Sequence, residues 1–197
     1  MQKIETELFI VEGPISCIAL NDRLKQVHDK TLQVHLEGYH CSETIIRGVW
    51  PFVLPDRPLT DDILKMVMPF RGGMAATMSS HCGGLTLGIL VIGALYGRAS
   101  LDGDGKLASA ISRKYWQIFL DEFGTTQCTL LRQGEPTPEA PTRCGGIMVR
   151  SAVLIVSLID FIEAQQPSLE EIYAWKVDRS KEPCHEKVVP MKSSDEE

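Results

Sequence analysis

The stretch CGGLTLGILVIGALY, residues 82–96, begins with a cysteine and two glycines and continues as an almost uninterrupted apolar run. The apolar part, Leu85–Tyr96, is too short to cross a bilayer, which needs about 20 residues. The same order returns at residues 144–163, where CGG precedes a second apolar run that Arg150 and Asp160 interrupt. Both runs therefore predict buried helices in the core of a globular protein, and no transmembrane segment is expected.

The remaining sequence favours helices as well, because apolar residues recur at helical spacing and β-branched alternation is scarce. Pro51 is expected to end the helix that begins at Cys41, and Gly124 the helix that begins at Leu107. The pattern predicts an all-α fold, a single-domain bundle of about five to seven helices. Besides the two apolar runs, the predicted helices cover residues 18–36, 41–50, 60–68, 107–123 and 168–175, and residues 128–132 are predicted to be a short helix or turn.

The length of 197 residues suits one domain with a sizeable core. Residues 1–36 are interpreted as an N-terminal arm and first helix that pack with a four-cysteine helical domain at residues 37–175. Residues 176–197 are densely charged and lack a core pattern, which predicts a mobile tail.

Charge and the N-terminal sequence narrow the class of protein. The net charge of −6 argues against a nucleic-acid binder, which would carry a basic face. No apolar signal region follows Met1, so a cytoplasmic location is expected, where stable disulfides are uncommon. Six cysteines in such a protein favour a catalytic, redox or metal-binding role.

Four of the six cysteines fall where a predicted helix begins: Cys41, Cys82, Cys128 and Cys144. A helix N-terminus or a neighbouring cation lowers the pKa of a thiol, and the thiolate is the form that attacks disulfides or binds metals. The sequence contains no Cys-x-x-Cys, which excludes zinc ribbons, thioredoxin-type motifs and ferredoxin-type runs. A joint site must therefore be assembled by folding from four separate helix starts.

The glycines that follow two of these cysteines leave backbone N–H groups open to a sulfur or an anion, although they would equally allow close helix packing. The residues predicted on this ground to bind a cofactor are Gly83, Gly84, Gly145 and Gly146. Cys17 is interpreted as a small core residue, and Cys184 as part of the charged tail. Nearby methionines are predicted to fill the core: Met66, Met68, Met74 and Met78.

Residues 70–74 (FRGGM), 82–88 (CGGLTLG) and 94–97 (ALYG) resemble the core of the C_GCAxxG_C_C family, which is named for its pattern of four cysteines. Cys41 corresponds to the family's first cysteine. The resemblance covers roughly residues 39–164.

The second half of the family pattern is also present. Phe123-Gly124 and Cys128 correspond to its phenylalanine–glycine pair and third cysteine, and Cys144 to its fourth. Two positions depart from the motif, because a glycine replaces its alanine after Cys82 and its closing glycine is displaced, to Gly88. The resemblance implies a helical, cytoplasmic protein and a redox role that is the family's own conjecture.

Several functions are compatible with these residues. If the four cysteines converge, they could ligate an iron–sulfur cluster or another thiophilic metal, or carry out thiol–disulfide exchange as an oxidoreductase. Four similar cysteines favour ligation, since exchange needs only two. The alternatives are a non-enzymatic helical interaction module with buried cysteines, or a structural zinc site with His40 or His81 as auxiliary ligand. The redox partner is open, and a homo-oligomer is compatible with the sequence.

Overall fold

The computed structural model describes residues 20–133 and 144–174. Within these residues the chain forms eight α-helices and no strand, which confirms the all-α prediction. Two of the eight are short pieces of four and six residues. The helices are α1 (Asp22–Leu36), α2 (Cys41–Val53), α3 (Asp61–Val67), α4 (Gly83–Tyr96), α5 (Lys106–Phe123), α6 (Cys128–Leu131), α7 (Gly145–Gln165) and α8 (Leu169–Ala174). The predicted arm before residue 20 and the predicted tail at residues 176–197 lie outside the described residues.

The helix α7 is the centre of the bundle, because it packs against α1, α2, α4 and α5. The helix α4 lies between α2, α5 and α7 and buries the apolar run from which the fold was predicted. Its glycines allow the neighbouring helices to approach. A Cβ at Gly88 would overlap the ring of the fully buried Tyr115, whose hydroxyl donates a hydrogen bond to the Gly84 carbonyl at 3.0 Å.

Most of the helix boundaries have a local cause in the sequence. Asn21 caps α1 by accepting a hydrogen bond from the Leu24 amide at 2.8 Å. Gly124, at a φ of 71°, ends α5 in the left-handed conformation that glycine adopts readily. The expectation that Pro51 ends α2 is wrong, because α2 continues to Val53. Proline removes one backbone donor near the helix end, while the Leu54 amide still closes the last turn on the Trp50 carbonyl at 2.9 Å.

Among the helices of the described residues, one is long enough and apolar enough to cross a membrane, judged by length and composition alone. This helix is α7. However, 67 % of its apolar window is buried inside the protein. Its charged residues also have partners, since Arg150 Nε lies 2.9 Å from Glu122 and Asp160 pairs with Arg23 at 3.0 Å. This environment is that of a core helix, so its apolar composition is weak support for a membrane span.

A loop of unusual conformation precedes α4. We call residues 72–78 the left-handed loop, because two glycines and four other residues there have positive φ. Each non-glycine residue in this conformation costs roughly 1–2 kcal/mol. Glycine adopts this conformation readily, whereas methionine and alanine rarely do. The positive angles are those of Gly72 (56°), Gly73 (65°), Met74 (62°), Ala75 (49°), Ala76 (58°) and Met78 (60°).

Candidate functional site

All four cysteines that the sequence singled out line one cavity of about 420 Å³. Each stands where a helix begins: the first residue of α2 or α6, or the residue before α4 or α7. Cys82 and Cys128 are buried, Cys41 and Cys144 are half-buried, and all four are free thiols. Positions 41 and 144 are far apart in the sequence, so the packing of the helices brings these sulfurs together. Cys17 and Cys184 lie outside the described residues.

Two of the sulfurs accept backbone hydrogen bonds. The Gly72 amide donates to Cys41 Sγ at 3.5 Å, and the Gly84 amide donates to Cys82 Sγ at 3.4 Å. A Cβ at Gly83 would lie 2.7 Å from Cys41 Sγ, closer than real contacts allow. Cys41 therefore sits directly against the backbone that follows Cys82, and this approach requires glycine at position 83.

Backbone hydrogen bonds fasten the segment around Cys82 to the segment around Cys128. The Cys82 amide donates to the Thr126 carbonyl at 2.8 Å, and the Cys128 amide donates to the Ser80 carbonyl at 2.9 Å. An isolated bridge pairs His81 with Gln127 between them. These contacts fix two of the four cysteines relative to each other independently of their side chains.

The two histidines that precede cysteines have different surroundings. His81 does not line the cavity; its Nδ1 lies 3.0 Å from Thr126 Oγ1, and its ring packs edge-on against Trp116 at 4.7 Å. His40 does line the cavity, and its Nε2 lies 2.6 Å from a guanidinium nitrogen of Arg71. His40 is therefore the better placed of the two to act on a ligand in the cavity.

The methionine prediction is wrong for three of the four residues, since Met66, Met68 and Met74 are exposed. They lie on or next to the short α3 and the left-handed loop, which cover too little of the core to bury them. Met78 instead lines the cavity. Its Sδ lies 3.9 Å from Cys128 Sγ and 2.9 Å from a guanidinium nitrogen of Arg132.

The glycines predicted to bind a cofactor have packing roles that the structure makes visible. A Cβ at Gly84 would lie 2.6 Å from Ser151 Oγ, so this glycine lets α4 approach α7 while its amide serves Cys82. Gly145 is buried and Gly146 half-buried in the first turn of α7, and neither lines the cavity. Gly83 lies against the sulfur of Cys41, and Gly84 donates its amide to the sulfur of Cys82.

Burial is the largest influence on the pKa of three of these cysteines, Cys82, Cys128 and Cys144. It raises the pKa of Cys82 far above its ordinary value, and the other three cysteines raise it further, against the Gly84 hydrogen bond. Burial also raises the pKa of Cys128 and of Cys144, while the charge of Arg132 opposes the rise at both. The helix-start argument predicted lowered pKa values, and desolvation outweighs it. Without a bound cation, these three thiols are protonated at neutral pH.

The cavity fits a thiophilic centre in the kind of donor it offers, because four cysteine thiols are the ligands preferred by iron–sulfur clusters and soft metals. The described residues contain no group of three His, Cys, Asp or Glu arranged to hold one metal ion. The four sulfurs thus share a cavity without forming a closed single-ion site.

The structure is that of an all-helical protein in which four helix-start cysteines line one cavity, and a known family has the same four-cysteine pattern. The sequence profile of the family described as "Putative redox-active protein (C_GCAxxG_C_C)" matches residues 39–158, more than half of the chain and all four cysteines. The chain belongs to this family. Searches of the curated proteins and of the solved structures gave no match.

Proposed function

We propose that the protein is a redox protein in which Cys41, Cys82, Cys128 and Cys144 together ligate an iron–sulfur cluster or another thiophilic metal centre. One observation carries the proposal: four helix starts, dispersed over more than a hundred residues of sequence, deliver their cysteines to one cavity. When bound, such a centre would supply one-electron chemistry. The protein would supply the thiolates and the backbone donors to two of the sulfurs, which tune the potential of such centres.

Ligation suits this arrangement better than burial of inert cysteines. Structural cysteines behave as small apolar side chains in a packed core and need no cavity. Here Cys41 and Cys144 are only half-buried and border open volume. A reducing compartment such as the cytoplasm would keep four such thiols free.

Thiol–disulfide exchange is the second candidate, and one observation favours it. No three ligand side chains among the described residues are arranged around a single ion, whereas exchange requires only two neighbouring sulfurs. In that reaction two thiols would lose two electrons and two protons to form one disulfide. A disulfide substrate would accept both and leave as two thiols.

One anaerobic preparation separates these functions. Bound iron, zinc and acid-labile sulfide would be measured with the visible spectrum, and thiols titrated before and after reduction. Stoichiometric iron and sulfide supports a cluster, and zinc alone supports a structural zinc site. Metal-free protein that cycles by two electrons per cysteine pair supports exchange. A colourless, metal-free protein with inert thiols sinks both redox proposals and leaves the non-enzymatic module.

Two cysteine variants sharpen the test. Cys82→Ser is expected to abolish metal retention or thiol cycling, because Cys82 is buried and its sulfur accepts a hydrogen bond from the Gly84 amide. Cys184→Ser, outside the four-cysteine set, is expected to behave as the wild type. Equal behaviour of the two variants would refute the assignment of the site.

A further inference from the structure

We propose that the four-cysteine cavity binds a small anionic ligand with an oxyanion or carboxylate group, held by Arg71 and Arg132 beside the sulfurs. This inference rests on the proposed function, because it treats the cavity as the working site and names the class of substrate that enters it. Both arginines line the cavity together with the cysteines.

Arg71 is held in place by a neighbour that leaves its charge intact. One of its guanidinium nitrogens lies 2.6 Å from His40 Nε2. Because arginine only donates hydrogen bonds, His40 accepts in this contact through a neutral ring nitrogen. The salt bridges among the described residues include no carboxylate partner for Arg71. Its remaining donors are thus available to an anion.

Arg132 stands near Cys128 and Cys144. One of its guanidinium nitrogens lies 2.9 Å from the Sδ of Met78, and a thioether sulfur is a weak hydrogen-bond acceptor. It forms no ion pair with a carboxylate in the part of the chain that the structure describes. The Met78 Sδ also lies 3.9 Å from Cys128 Sγ, so one thioether contacts both the guanidinium of Arg132 and this sulfur.

The charge of the cavity lining differs from that of the whole protein, which is acidic. The whole chain carries a net charge of −6, yet no Asp or Glu is among the described residues that line the cavity. A guanidinium group recognises carboxylates and oxyanions through paired N–H donors. The volume of about 420 Å³ admits a small-molecule ligand. Two arginines and no lining carboxylate thus select for charge as well as for size.

The test measures anion binding to the reduced, metal-free protein by isothermal titration calorimetry at constant ionic strength, with chloride as the balancing ion. Sulfate probes recognition of a free oxyanion, and malonate probes recognition of carboxylates. Variants Arg71→Gln and Arg132→Gln each remove one cavity cation. Lys25→Gln is the matched control, since Lys25 is exposed on α1 and does not line the cavity.

Saturable binding of either probe, weakened about 10-fold or more by each arginine variant and unchanged by Lys25→Gln, is the expected result. The probe that binds more tightly identifies the anionic group. Absence of saturable binding for both probes, or arginine variants that bind like the wild type, overturns the proposal. Cys82→Ser separates the two proposals, because it is expected to lose metal or thiol cycling while it retains anion binding.

Discussion

The Sγ of Cys41 lies against the backbone of Gly83, so that a Cβ at position 83 would stand 2.7 Å from the sulfur. Gly83 follows Cys82 directly, and this contact is therefore the point where the first two cysteines of the site meet through their elements α2 and α4. It makes position 83 a place where a single methyl group should disturb the site.

Gly83→Ala is expected to destabilise the protein by about 1–3 kcal/mol, because the new methyl group must displace the sulfur or the helix. The same variant should also show weaker metal retention or thiol cycling. The matched control is Gly93→Ala in the same helix, where a Cβ meets nothing within 4 Å. That variant should gain about 0.5–1 kcal/mol from helix propensity. Urea denaturation of both proteins checks the signs, and destabilisation of the same size in both would contradict the contact.

The stability of the metal-free protein should fall as the pH rises above about 8.5, the ordinary thiol pKa in an unfolded chain. Burial raises the pKa of Cys82, Cys128 and Cys144, so the folded state retains protons that the unfolded state releases. This contribution is complete below the unfolded pKa and is lost as the pH rises toward the folded pKa. For Cys82 the slope approaches about 1.4 kcal/mol per pH unit.

Urea denaturation between pH 7 and about 9 measures this slope at pH values well below the ordinary tyrosine pKa of about 10. Cys82→Ala should flatten it, and Cys184→Ala should leave it unchanged. A slope that is the same in all three proteins would show that the buried thiol is not its source.

The left-handed loop should be relieved by glycine. Ala75 has a φ of 49°, and Ala75→Gly is expected to stabilise the protein by about 1 kcal/mol, because glycine adopts this conformation without a Cβ penalty. Ala94→Gly, in the regular helix α4, should have the opposite sign and a similar size. Thermal denaturation of the pair gives the result, and destabilisation by Ala75→Gly would mean that the loop is not left-handed at this position.

Removing the Tyr115 hydroxyl tests how α5 is joined to the helix that carries Cys82. Tyr115→Phe deletes the buried hydrogen bond to the Gly84 carbonyl and should cost about 1 kcal/mol. Tyr96→Phe is the control, since its hydroxyl bonds to Glu163 in a more exposed position, and it should cost less. Differential scanning calorimetry checks this order. A larger loss of stability for Tyr96→Phe than for Tyr115→Phe would contradict the role assigned to the Tyr115 hydroxyl.

The helices could be predicted from the sequence because periodicity and capping act locally. The two apolar runs became α4 and α7, and the Cys-Gly-Gly starts marked their first residues. The left-handed loop could not be predicted in the same way, since methionine and alanine carry no signal for positive φ and are held there by contacts with the rest of the protein. The prediction that α2 ends at Pro51 failed for a related reason. The local preference of proline favours a helix end, but the burial of Trp50 in the core favours a further helical turn.

The cysteines at helix starts could be identified from sequence, but their proximity and their ionisation could not. Spacing says nothing of how α2, α4, α6 and α7 cross. The helix-start effect on a thiol is visible in sequence, whereas the opposing desolvation depends on burial that only the packed structure reveals. Arg71 and Arg132 were overlooked for the same reason, since nothing in their local sequence distinguishes a cavity arginine from a surface one.

The position of Cys144 has a consequence for how the protein matures. This cysteine precedes α7, the helix that completes the packing of α1, α2, α4 and α5. A nascent chain therefore exposes the first three cysteines of the site, Cys41, Cys82 and Cys128, before Cys144 has left the ribosome. Any ligand that needs all four cysteines could bind only after Cys144 has been synthesised, and a truncated chain that ends before α7 would expose Cys41, Cys82 and Cys128 without an enclosed site.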